Sequence, residues 1–130
     1  MKVETSRFVR APPAVVQRIL SPVALVEAEG SFDVRGVEDG AGETLVHAGG
    51  YGVELLLAFE EREDGIAYTM REGPLDRLET TVTVAPEDEG SRITARSVVV
   101  TGGPAVFDRL AGWKRRGELK RALAAIEEQC

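Results

Sequence analysis

His47, Tyr68 and Tyr51 are the side chains of this sequence best suited to acid–base or hydrogen-bonding chemistry, and each stands alone. His47 is the only histidine, and a catalytic triad would also need a nucleophile and an orienting acid. No GxSxG elbow is present, so His47 acts alone if it acts at all, as a general acid or base toward a ligand with an acidic C–H. Tyr68 and Tyr51 are phenolic donors, and buried tyrosines ordinarily satisfy their hydroxyls within the protein. Arg7 and Arg96 would clamp a carboxylate if they pointed inward, although a solvent-facing placement is the simpler reading. The lone cysteine, Cys130, leaves no basis for a disulfide scaffold or a cysteine-built zinc site. The acidic turns EDGAGE (38–43) and EREDG (61–65) lack the ligand spacing of a calcium loop. The stretches GGYG and GAG have no strand-to-helix setting for phosphate. The residues therefore predict no metal and no cofactor.

The elements that must carry these residues follow from turn signals. Clusters of Gly, Pro and Asp at 38–43, 49–52, 61–65, 72–76 and 85–90 cut residues 30–101 into six short segments. None is long enough for a helix, which predicts an antiparallel meander. Val53, Leu55, Leu57 and Phe59 alternate with less apolar neighbours. So do Ile66, Tyr68 and Met70, then Leu78, Thr80, Val82 and Val84, then Ile93 and Ala95. Period-two alternation marks a sheet with one covered and one wet face. In ETLVHAGG (43–50) Leu45 and Val46 are adjacent, so the inward face of that segment stays open. Upstream, KVETSRFVR predicts a first strand. APPAVVQRIL begins a helix with proline in its first turn, and PVALVEAEG predicts a second short helix stopped by Gly30. Pro104 opens a long last helix.

Composition bounds the rest. A chain of 130 residues with 43% hydrophobic content suits one globular domain, residues 1–130. The net charge of −6 argues against general nucleic-acid binding. No apolar run is long enough to span a bilayer, and the N-terminal residues lack a signal-peptide core, so the expected setting is soluble and cytoplasmic. Thirteen arginines stand against three lysines, Lys2, Lys114 and Lys120. An acidic, lysine-poor surface suits a salt-rich cytoplasm, and equally a GC-rich genome.

The order of strand, two short helices, six strands and long helix resembles the START/Bet v-like (SRPBCC) superfamily. FVRAPPAVVQRILSP is similar to its entry signature, through Val9, Ala11, Pro12, Val16 and Leu20. GSRITARSVV is similar to its last strand, and ELKRALAAIEE to the end of its closing helix. The resemblance implies an α+β helix-grip fold: a seven-stranded curved antiparallel sheet around a long C-terminal helix, with two short helices between strands 1 and 2. It also implies an apolar cavity between sheet and helix. Members bind lipids, sterols and polyketides. Some are cyclases or dehydratases, some carry ligands, and some act through partners.

The last helix poses a problem of its own. At 100° per residue, Val106, Phe107, Leu110 and Trp113 form one stripe and Leu119, Ala122, Leu123 and Ile126 another, roughly 160–180° around the axis. Gly112 and Gly117 lie between them, where glycine permits a bend or a close approach. The preferred expectation is that Leu119–Ile126 anchors the helix while Phe107, Leu110 and Trp113 cover the cavity. Two alternatives are that these three are core, or that Trp113 anchors a homodimer contact. The basic cluster Arg109, Lys114, Arg115, Arg116, Lys120 and Arg121 is either a solvated face or a docking surface for an acidic partner, a ligand headgroup or an anionic lipid surface, so membrane contact is at most peripheral.

The functional expectation is binding or transport of a small hydrophobic or amphipathic molecule. Val53, Leu55, Leu57, Phe59, Tyr68, Met70, Thr80 and Val82 are the expected cavity walls. An aromatase/cyclase-type enzyme using His47 or Tyr68 is one alternative, and a partner-binding module acting through the basic helix is another.

Overall fold

A computed structural model describes residues 1–130. Strand β1 (Lys2–Val9) is followed by helices α1 (Pro13–Ile19) and α2 (Pro22–Glu29). Strands β2 (Asp33–Gly40), β3 (Glu43–Gly50), β4 (Val53–Arg62), β5 (Gly65–Glu72), β6 (Arg77–Glu87) and β7 (Gly90–Val100) follow, and helix α3 (Ala105–Gln129) ends the chain. The strands form one curved antiparallel sheet in the order β1-β7-β6-β5-β4-β3-β2. The α1–α2 segment thus connects the two opposite edges of the sheet, and α3 packs against β1, β7 and α2.

Local chemistry accounts for the short helices. Pro13 and Pro22 each sit in a first helical turn, where the missing N–H removes no intrahelical bond. The Ser21 hydroxyl accepts a hydrogen bond from the Ala24 amide at 3.1 Å, capping α2. Gly30 ends α2 at φ +79°, a left-handed conformation that costs a side-chain-bearing residue more than glycine.

The alternation expected for β4 to β7 is realised. Leu55, Leu57, Phe59, Ile66, Tyr68, Leu78, Val82, Val84, Ile93 and Ala95 are buried in one core with Val16, Leu25 and Leu123. The open question in β3 is decided by pairing. Val46 stands opposite Leu57, and Ala48 opposite Leu55, so Val46 and Ala48 face the core.

Helix α3 is a single continuous helix through both glycines. Its buried face runs Gly112, Arg115, Glu118, Leu119, Ala122, Leu123, Ile126, a regular three-and-four spacing. A helix without a break keeps one face toward the sheet. The stripe Leu119–Ile126 therefore propagates backward to Arg115 and Gly112, not to Leu110 and Trp113. Gly112 meets the start of β1, because a Cβ there would lie 2.3 Å from Met1 Cγ. At Gly117 an added Cβ meets nothing within 4 Å, so no close approach requires that glycine.

Candidate functional site

A cavity of about 350 Å³ lies between the concave face of the sheet and α3. The sheet contributes an apolar floor through Ala48, Val53, Leu55, Leu57, Leu78 and Val99. The opposite wall is polar: Glu29 from the last turn of α2, Ser31 just after it, and Lys114, Arg115 and Glu118 from α3. Tyr51, Pro74 and Lys114 are exposed and also line the cavity, which places its mouth between the β3–β4 turn, the β5–β6 connection and α3. Tyr51 holds φ +55° and sits edge-on to Phe32, with ring centroids 6.4 Å apart.

Strand register builds the deep end of the site. Phe59 pairs with Tyr68, Tyr68 with Thr80, and Thr80 with Ser97, so these side chains form one inward row across β4 to β7. Arg115 reaches down onto this row. Its Nη2 donates to Thr80 Oγ1 at 2.9 Å and also to the Tyr68 hydroxyl, and its Nε donates to Ser97 Oγ at 3.2 Å. Its Nη1 pairs with the Glu29 carboxylate and lies 3.5 Å from Glu118 Oε1. The Tyr68 hydroxyl donates to Glu29, whose two oxygens are at 2.7 and 2.9 Å. Ser31 donates to Glu118, and Arg121 donates to the Glu29 carbonyl at 3.1 and 3.2 Å. No buried side-chain nitrogen or oxygen lacks a partner. A cluster this buried is tolerable only when it is closed in this way.

The electrostatics follow from burial. Desolvation pushes the Tyr68 phenol far above its ordinary pKa, the Arg115 charge pulls it back and the Glu29 charge adds to the rise. Tyr68 is thus a neutral donor at any physiological pH. Burial works against the Arg115 charge, but its negative neighbours Tyr68 (when ionised), Glu29 and Glu118 outweigh it and keep the guanidinium pKa above its ordinary value. The wall therefore presents an uncharged phenol and a guanidinium shared by two carboxylates, Glu29 and Glu118, to an apolar space, where their fields are weakly screened. No three His, Cys, Asp or Glu residues converge to hold a metal ion.

Of the residues expected to form the walls, Val53, Leu55, Leu57 and Tyr68 line the cavity. Phe59, Thr80 and Val82 face inward but stand outside its lining. Phe59 packs on the Tyr68 ring at 4.6 Å, Thr80 holds Arg115, and Val82 is wholly buried. Met70 is partly buried against the same core.

Two expectations need correction, and the open placement of His47 is decided. Phe107, Leu110 and Trp113 do not cover the cavity and are not core: they are 53%, 59% and 80% exposed, on the side of α3 turned away from the sheet. His47 does not point inward. Val46 and Ala48 take the inner face of β3, so alternation turns His47 outward, exposed and 3.6 Å from Glu38. Arg115 is not part of a solvated cluster but is 6% exposed at the centre of the polar network. Arg7 and Arg96 lie on the surface, paired with Glu127 and Glu4. Glu29 and Glu118 are site residues that sequence reasoning missed. Extending the Leu119–Ile126 stripe by one turn toward the N-terminus, four residues back from Leu119 and Ala122, would have flagged Arg115 and Glu118.

Among solved structures, a Thermus thermophilus protein, TTHA0849, is similar in fold at 22% identity, with a TM-score of 0.78 over 99% of this chain and 96% of that one. A START superfamily protein from Mycobacterium smegmatis aligns at 14% identity and TM-score 0.70, over 99% of both chains. The Zhui aromatase/cyclase from a Streptomyces species aligns at 19% identity and TM-score 0.68, over 98% of this chain and 92% of that one. No curated protein matches the sequence. The profile described as polyketide cyclase/dehydrase and lipid transport matches residues 1–130, the whole sequence. With its curved seven-stranded sheet, long closing helix and a cavity between them, this chain belongs to the polyketide cyclase/dehydrase and lipid transport family.

Proposed function

We propose that the cavity binds a small hydrophobic or amphipathic molecule, lipid-like or polyketide-like, for storage or transport. The observation that carries this reading is the two-sided cavity: an apolar floor from the sheet against one polar wall built on Arg115, Tyr68 and Glu29. Its volume of about 350 Å³ falls within the range of small-molecule sites. A ligand burying ~300 Å² of apolar surface would gain about 7 kcal/mol before the entropic cost of association. The apolar body would lie on Leu55, Leu57 and Leu78, with any hydroxyl or carbonyl turned toward the wall. Titration with the amphipathic fluorophore anilinonaphthalene sulfonate tests this. Emission should rise with the native protein and be displaced by a fatty acid. It should fall at least tenfold in Ala48→Phe, which fills the floor, and stay unchanged in Trp113→Ala. Equal emission from Ala48→Phe and the native protein would remove the cavity as the site.

A cyclase-type reaction on a similar ligand is the second reading. It is favoured by the Tyr68 phenol and the Arg115 guanidinium at an apolar site, a pair that would stabilise an enolate oxygen once the ligand displaced Glu29 from the Tyr68 hydroxyl. Tyr68→Phe should then abolish turnover of a poly-β-ketone substrate while leaving its binding within threefold. Unchanged turnover would end this reading.

A further inference from the structure

The outer face of α3 is the one surface whose composition runs against the rest of the molecule. Val106, Phe107, Leu110 and Trp113 form an exposed apolar stripe along its first half. At 100° per residue, Arg109, Arg116 and Lys120 fall on one side of that stripe and Lys114 on the other, while Arg121, two turns beyond Lys114 on the same side, donates to the Glu29 carbonyl. All five cations are exposed, and none of them is in an ion pair. Elsewhere Arg7, Arg62, Arg71, Arg77, Arg92 and Arg96 each hold a glutamate, and the unpaired Lys2, Arg10, Arg18 and Arg35 are scattered over β1, α1 and β2 and their ends rather than gathered on one face. From Ala105 to Arg121 the helix exposes no carboxylate: Asp108 is half-buried and accepts two hydrogen bonds from Thr101, and Glu118 is buried in the polar network. In a chain of net charge −6, this helix keeps its positive charge unneutralised around its only tryptophan.

We propose that this face of α3 lies on an anionic lipid bilayer, with Phe107, Leu110 and Trp113 entering the headgroup region and the flanking cations holding acidic headgroups. Tryptophan within an apolar stripe bordered by Arg and Lys is the arrangement that suits a helix lying in the plane of a bilayer surface. Charge selects the occupant. A second copy docked symmetrically through the same face would bring two unneutralised cationic stripes together, whereas an anionic bilayer complements one. Lys114 belongs both to this face and to the cavity lining, so docking would bring the cavity mouth close to the lipid surface. The inference does not depend on what the cavity binds.

Trp113 is an intrinsic probe, because no other tryptophan contributes emission. Phosphatidylglycerol vesicles at low salt should shift Trp113 emission to the blue and sediment the protein. Phosphatidylcholine vesicles should do neither, and about 0.5 M salt should release the bound protein. The variant Arg109→Glu, Arg116→Glu, Lys120→Glu, checked for native circular dichroism, should partition roughly 100-fold more weakly, and Trp113→Ala should lose sedimentation. Failure of the native protein to bind phosphatidylglycerol at low salt, or equal binding to both lipids, would overturn the proposal. So would a dimer in sedimentation velocity that Trp113→Ala dissociates, since the face would then belong to a second copy. Ala48→Phe should leave vesicle binding unchanged, which separates this result from the fate of the cavity reading.

Discussion

Replacing Arg115 with methionine is the most informative single perturbation of this fold. The side chain is 7% exposed and is shared by Glu29, Tyr68, Thr80, Ser97 and Glu118. Methionine keeps much of the length but removes the charge and every donor. Glu29 and Glu118 then remain buried with no cation between them. Removing one partner of a buried ion pair costs roughly 3–5 kcal/mol, mostly because the remaining charge is left uncompensated. A domain of this kind has about 5–15 kcal/mol in total, so the variant should still fold but with its melting temperature lowered by about 10–20 °C. Paired thermal and urea denaturation measures this. The cause is separable from lost packing by adding Glu29→Gln to the Arg115→Met background. That second change removes the stranded charge and should recover about 1–3 kcal/mol, whereas Glu29→Gln in the native background should destabilise. If Arg115→Met costs under ~1 kcal/mol, or if the two changes simply add, the network is not the coupled unit described here.

Two further predictions concern pH and the last helix. Because burial raises the Tyr68 pKa in the folded state, Tyr68 holds its proton as pH climbs through about 10 while the unfolded chain releases it. Its contribution is thus intact below pH 10 and is lost above it, at roughly 1.4 kcal/mol per pH unit. In a Tyr51→Phe background the 295 nm absorbance should show no tyrosinate until the chain unfolds, and a tyrosinate step in the folded protein would refute the burial argument. Gly117→Ala should stabilise by about 1 kcal/mol, since a Cβ there meets nothing and alanine is the better helix former. Gly112→Ala should gain less or lose stability, because its Cβ would displace the Met1 side chain. Equal melting temperatures for the two alanine variants would contradict this reading of the α3–β1 contact.

The framework of the fold was legible because its signals are local. Turn residues recur at short intervals between Gly30 and Thr101, alternation in β4 to β7 separates a covered face from a wet one, and Pro and Gly bracket the short helices. The placement of Val53, Leu55, Leu57 and Tyr68 at the cavity was legible for the same reason: within a strand, facing depends only on parity. The side of His47 was not, because the adjacent Leu45 and Val46 leave that parity ambiguous, and only pairing with Leu57 and Leu55 on β4 resolves it.

The polar half of the site was not legible, for a definite physical cause. Hydrophobic periodicity locates a buried face only when that face is apolar, and the buried face of α3 between Gly112 and Glu118 is built from charge. The large apolar side chains in the first half of α3, Phe107, Leu110 and Trp113, lie on the opposite side, so the stripe pointed outward. Sequence alone determined the elements, their order and the inward side of most strands, since backbone preference and period-two sterics act over a few residues. Tertiary structure alone decided that Glu29, Tyr68 and Arg115, far apart in the chain, meet beside one cavity. A buried charge is stable only beside partners that folding brings together, and a linear sequence carries no mark of those partners.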